Sequence, residues 1–215
     1  MAPVCFTCSD RCAIIDDMYI DNARLPKGIL GRIMLTRMNR GTHARLAEWA
    51  LGLFDQGERT LDVGCGGGAN IARMLARGGK VYGLDYSPVS VSKSARHNRK
   101  AVKAGRCEIV RGDVTAMPFD DCAFDMVTAF ETVYFWQPIE AAFAEVYRVL
   151  EEGGRFGVFN DADGSGEPSE NAKKLNLRIY TPEELTELMK GAGFDGVETH
   201  RRGKFIAVIG KKCVK

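Results

Sequence analysis

No run of apolar residues in this 215-residue chain approaches the roughly 20 that a membrane span needs, so no membrane-spanning segment is expected. Neither sign of charge is in excess: 30 Lys and Arg face 28 Asp and Glu, a formal net charge of +2. That balance argues against broad electrostatic attraction to nucleic acid or to anionic lipid. The opening MAPVCFTCSDRC lacks the basic-then-apolar design of a secretory signal. There is no internal repeat and no low-complexity linker to divide the chain, and 45% hydrophobic residues can fill one core. The seven cysteines, an odd number scattered from Cys5 to Cys213, read as reduced thiols in a cytoplasmic protein. Cys5, Cys8 and Cys12 have a C-x2-C-x3-C spacing that a soft metal accepts, but no fourth thiol or histidine stands nearby. Residues 1–24 are therefore read as a tail, and no metal site is expected.

What is present is alternation. From about residue 59, short β-branched or apolar runs alternate with helical patterns, the signature of a parallel sheet with crossover helices. Strands are expected at 58–63, 80–85, 106–112, 124–130 and 155–160, with helices from Ala69, over 87–104 and from Pro138, which sits at a permissive first turn. TPEELTELMKGAGF opens with a capping box in which Thr181 caps and Glu184 reaches back, with Pro182 in the first turn. VETHR and KFIAVIG, joined by RRG, read as an antiparallel pair at a sheet edge. DADGSGEPSEN (161–171) reads as a surface loop. Ahead of the sheet, residues 25–57 read as helical, Thr42 standing where a cap belongs. These helices either pack on the sheet or cover its ligand.

The residues LDVGCGGGAN (61–70) pose the functional question. Gly64, Gly66 and Ala69 fit G-x-G-x-x-G/A, whose glycines let backbone turn and approach a ligand without a Cβ clash. Asp85 ends the next strand 21 residues after Gly64, where an acid accepts ribose hydroxyls in NAD and in S-adenosylmethionine alike. A strand-end acid facing a cleft supports no core, so replacing it is expected to disturb folding little. Asp62, two residues before Gly64, repels a pyrophosphate and suits a cationic ligand, reached directly or through water.

The ordered set DVGCGGG, RGDVTAMPFDDCAFDMV (111–127) and YRVLEEGG (147–154) resembles the class I S-adenosylmethionine-dependent methyltransferases, and the likeness covers roughly residues 58–160. Within that family the chain looks closest to the short, small-molecule type whose N-terminal helices carry M-N-x-x-H, here MNRGTH (38–43). The resemblance implies a Rossmann-like, doubly wound, seven-stranded, mostly parallel sheet with an antiparallel last strand. One domain over 25–215 then comprises a helical lid (25–57) and a core (58–215). It implies S-adenosylmethionine as cofactor and S-adenosylhomocysteine as product. The expected binding residues are Asp62, Gly64, Cys65, Gly66, Gly67, Asp85, Tyr86 and Phe130, with Asp113 near the adenine amino group and Val114 against the ring. ETVYFW (131–136) would face the methionine end and the acceptor.

ETVYFW lacks the Asn/Asp-Pro-Pro-aromatic signature of enzymes that modify base or glutamine nitrogens, and the chain has no Pro-Cys pair of the cytosine-C5 kind. The expected acceptor is a small molecule, its reacting atom and the oligomeric state both open. Methyl transfer from a sulfonium asks the protein for alignment and exclusion of water, so a base is not obligatory. The candidates for one are His43, Glu131 and Tyr134. His43 is otherwise a surface or capping residue, and Glu131 could instead hold the cofactor's ammonium. Tyr134 and Trp136 either wall an acceptor pocket or pack beneath the next helix, and Asn39 either contacts substrate or sits on a helix surface. The alternatives to a methyltransferase are an NAD-dependent oxidoreductase and a non-catalytic S-adenosylmethionine-binding protein.

Overall fold

A computed structural model describes residues 26–28, 31, 33, 35–36, 41–55, 57–162, 164, 166–167, 170–174 and 177–214. Asn39, the three N-terminal cysteines and the expected tail lie outside the described residues. Seven strands form one sheet in the order β3-β2-β1-β4-β5-β7-β6. They are β1 (Arg59–Val63), β2 (Lys80–Asp85), β3 (Cys107–Arg111), β4 (Phe124–Phe130), β5 (Leu150–Asn160), β6 (Phe194–Arg202) and β7 (Phe205–Lys212). The first five pair in parallel, and β7 runs antiparallel to both β5 and β6. This is the expected fold, with the direction change placed at β7.

The strands alternate inward faces, and each face receives its own helices. Leu61, Val63, Val127, Ala129, Phe156 and Val158 join the buried residues of α5 (Ile139–Val149) and α7 (Pro182–Gly191) in one cluster. On the other face, Val81, Met126, Phe159 and Ile209 meet α1 (Thr42–Leu51) and α2 (Ala69–Arg77) through Leu46, Ala50, Ile71 and Met74. α1 therefore packs on the sheet. α7 begins with the expected capping box: Thr181 accepts from the Glu184 N–H at 3.2 Å, and Glu184 accepts from the Thr181 N–H at 2.9 Å.

Several boundaries differ from the sequence reading, each for a local reason. The expected helix over 87–104 divides into α3 (Pro88–His97) and α4 (Arg99–Lys103), because the Asn98 amide donates to Ser94 O and to Gly68 O. The strand expected at 155 starts at Leu150, since the ladder shifts register between the Phe124–Leu150 and Met126–Arg155 pairs and absorbs the EEGG run. Gly41, at φ 63, is the N-cap of α1 and Thr42 is already helical, so Thr42 is not the cap. Pro138 likewise precedes α5 as its N-cap rather than sitting in its first turn. The β6–β7 turn is shorter than RRG, Gly203 and Lys204 alone separating the strands. The 161–171 loop ends in a short helix, α6 (Glu170–Lys174).

Phe156 joins the layers: its ring lies 5.4 Å from Phe143 of α5, 5.6 Å from Phe194 of β6 and 6.3 Å from Trp136, centroid to centroid. Truncation there leaves a cavity with no exposed route to collapse. Phe156→Ala is expected to cost about 3–5 kcal/mol of stability, measured as a lower urea midpoint with an unchanged slope.

Candidate active site

Parallel strands deliver their carboxyl ends to one edge, where ligands of open α/β sheets bind. Here that edge holds a cavity of about 840 Å³ lined from the loops after β1, β2, β3 and β4 and from His43 of α1. Asp85, ending β2, organises its first wall. One carboxylate oxygen accepts from the Gly66 N–H at 2.9 Å and the other from the Ser87 N–H at 2.8 Å, and Ser90 also donates to the group. Burial pushes the Asp85 carboxyl upward in pKa, and these donors oppose the shift. The expectation that Asp85 supports only ligand therefore needs correction, because it also holds the glycine loop.

Two glycines of that loop are fixed by geometry. Gly64 has φ 73, and a Cβ there would stand 2.3 Å from Thr132 Oγ1, so the loop packs directly on the segment after β4. Gly68 has φ 78, and a Cβ would meet Ser94 Oγ at 2.4 Å. Gly64, Cys65, Gly66 and Gly67 all line the cavity, as do Tyr86, Asp113, Val114 and Phe130. Asp62 does not reach the wall: 2% exposed, it accepts from Thr128 Oγ1 at 2.9 Å beneath the loop. Burial pushes its pKa up to about 7.

Sequence reasoning missed the face of α3 that supports this wall. Its buried residues are Ser90 and Ser94, not apolar ones, and they align with Ser87 before the helix and Asn98 after it. Ser87 Oγ donates to Pro26 O, Ser94 lies against Cys65 Sγ, and Asn98 holds Gly68 O. A polar stripe at 87, 90, 94 and 98 was the available signal. Also missed was Arg148 of α5, which donates to Met117 O, Phe119 O, Asp121 and Glu145, while Glu145 accepts from the Met117 N–H. The pair ties down the segment that follows Asp113 and Val114.

The second wall follows β4. Phe130 stacks on Phe159 at 4.7 Å, and Glu131 turns into the left-handed region at φ 52 while its N–H bonds Phe159 O. The Glu131 carboxylate meets His43 Nδ1 directly, joining α1 to the end of β4. Burial raises the Glu131 pKa, and the Glu131 contact raises that of His43. Asp161, after β5, adds negative charge to the pair and itself meets Lys204 at 3.0 Å. Asp161 and Lys204 carried no recognisable motif. Trp136 touches the cavity but is 5% exposed and belongs mainly to the Phe143–Phe156 cluster. Tyr134 is outside the lining residues, and burial followed by the Glu131 and Asp161 charges pushes its phenol pKa up.

Residues 61–158 match the family model described as a methyltransferase domain. Among curated relatives it is 38% identical over 101 residues to 24-methylenesterol C-methyltransferase 2 of Oryza sativa subsp. japonica, covering 46% of this chain and 28% of that protein. With methyltransferase phqN of Penicillium fellutanum it shares 29% over 155 residues, or 66% of this chain and 47% of the relative. The chain thus matches less than half the length of either relative. In fold it is similar to phosphoethanolamine N-methyltransferase 2 of Haemonchus contortus, a structure in complex with S-adenosylmethionine (TM-score 0.66, 17% identity, 80% of this chain and 52% of that one). It is also similar to the [4+2]-cyclase SpnF (TM-score 0.68, 22% identity, 80% of this chain and 81% of that one). The shared fold by itself does not fix a reaction. Among the described residues no helix is long and apolar enough to cross a membrane.

The buried Asp62 has a consequence for stability. With a folded pKa of about 7 against 3.8 for the ordinary group, the folded protein keeps a proton that the unfolded chain has lost between those values. Stability therefore falls as pH rises through that window. Asp62→Asn is expected to match the parent near pH 4 and to exceed its urea midpoint at pH 8; equal midpoints at pH 8 would refute the assignment.

Proposed function

We propose that the chain transfers a methyl group from S-adenosylmethionine to a small-molecule acceptor, leaving S-adenosylhomocysteine. The observation that carries this reading is one cavity bordered by the glycine loop, by Asp85 and by Asp113 with Val114. Asp85 serves the ribose hydroxyls, Asp113 and Val114 the adenine, and the Gly64–Gly67 backbone the middle of the cofactor. Asp62 acts from beneath the loop, where a bound sulfonium would favour the ionised form of a carboxyl that burial otherwise keeps protonated up to about pH 7. When bound, the cofactor supplies an activated methyl carbon. The chain's residues then align the acceptor and exclude water, contributions worth roughly 7–11 kcal/mol when orientation is good.

On this reading His43 and Glu131 stand at the reacting end, Trp136 borders the acceptor, and Tyr134 acts through Glu131. Asn39 is carried as an acceptor contact from its MNRGTH position, and the helices before residue 58 as a cover. The free Cys65 and Cys107 thiols fit a reducing, cytoplasmic setting. The comparisons lend no support to an NAD-dependent oxidoreductase or to a non-catalytic binding protein.

Calorimetry tests the cofactor. S-adenosylmethionine is expected to bind with micromolar affinity and NAD not to compete; NAD binding as tightly would overturn the reading. Asp85→Ala is expected to lose about 1.5–3 kcal/mol of cofactor binding, roughly 10- to 150-fold in Kd, and to unfold at lower urea because the Gly66 N–H loses its acceptor. An unchanged Kd would detach Asp85 from the ribose.

A further inference from the structure

We propose that His43 is the proton acceptor of this site, positioned by Glu131, and that the methyl acceptor is a primary or secondary amine. The inference rests on the methyltransferase reading and deepens it.

His43 comes from the N-terminal helix and Glu131 from 88 positions later, and both line the cavity. The Glu131 carboxylate engages Nδ1, which fixes the imidazole and leaves Nε2 as its second proton site. The groups facing His43 are Glu131 after β4, Asp161 after β5 and Lys204 in the β6–β7 turn. Tyr134, close enough to feel both carboxylates, stays protonated. With imidazole neutral, the two carboxylates and one ammonium leave the cluster net negative.

That sign selects the acceptor. An acceptor hydroxyl gains nucleophilicity by moving toward an oxyanion, which the same carboxylates oppose, as they do for the Tyr134 phenol. An amine arrives as a cation and leaves as one, and the proton it must lose passes to His43 inside the same field, so no anion forms beside the carboxylates. The ammonium gives one proton to His43 Nε2, and the resulting imidazolium is paired with Glu131. The amine nitrogen then forms a bond to the methyl carbon as the carbon–sulfur bond breaks, its electron pair staying on sulfur. The positive charge passes from sulfur to the product nitrogen, and His43 releases its proton to solvent.

The test uses the full chain with S-adenosylmethionine carrying a 13C-methyl group and the small-molecule fraction of a cell extract. The expected product carries the labelled carbon on nitrogen, identified by NMR shift. Label on oxygen, sulfur or carbon overturns the amine assignment alone. No transfer, with the cofactor bound, overturns the methyltransferase reading itself. With the amine so identified, His43→Gln and Glu131→Gln are expected to lose about 100-fold or more in kcat at pH 7, with the cofactor Kd unchanged within twofold. Their rates should climb tenfold per pH unit toward the amine's own pKa, a rescue that a merely structural role would not give. In the free protein, the His43 imidazole should titrate above its ordinary value and fall back toward it in Glu131→Gln. A pH-independent loss in kcat, or a His43 titration unmoved by Glu131→Gln, overturns the base.

Discussion

The bond from the Gly66 N–H to the Asp85 carboxylate, 2.9 Å long, is the constraint on which the site depends. It joins the loop after β1 to the end of β2, and it does so at a group that burial alone would make reluctant to ionise. The donors from Ser87 and Ser90 oppose the rise that burial imposes on its pKa. Around this anchor the glycine loop has little freedom. Gly64 rests against Thr132, Gly68 against Ser94 and Asn98, and neither tolerates a side chain.

The supporting layer reverses the ordinary logic of a surface helix. α3 directs serines inward because its neighbours are the Asp85 carboxylate and the Cys65 thiol, not an apolar strand face. α5 and α7 follow the usual rule and pack aliphatic and aromatic side chains against the sheet. One side of the fold is thus stabilised by burial and the cofactor edge by polar contacts of defined geometry. Arg148 bridges the two, since it stands on the packed helix and holds the backbone that follows Asp113.

The sheet and its order were legible because strand and helix periods alternate cleanly from residue 59, and the capping box at Thr181 marked α7 without ambiguity. The first wall was legible because Gly64, Gly66, Asp85 and Asp113 occur at short, ordered spacings. The second wall was harder. His43 and Glu131 could each be named as candidates, but nothing local in either segment says that α1 brings one to the other. Asp161 and Lys204 escaped for the same reason: their meaning comes from strands adjacent in space and distant in sequence. The starting point of β5 was misread because a register shift hides glycines inside a ladder. Asp62 was expected to reach a cationic ligand directly or through water; the alternation of β1 turns its side chain beneath the loop toward Thr128.

The reversal at β7 governs more than topology. Because β7 opposes its neighbours, β6 runs in the same sense as β1 to β5, and the two-residue turn after it emerges at the carboxyl edge. That is how Lys204, eleven residues from the last position of the chain, reaches Asp161. The loops after β1, β2 and β3, between Val63 and Val114, build one wall, while His43 and the segment after β4 build the other. The two walls therefore come from separate stretches of chain yet are locked together, because Gly64 packs on Thr132 and Arg148 holds the backbone that follows Val114. A change in the segment after β4 is felt by the glycine loop as well.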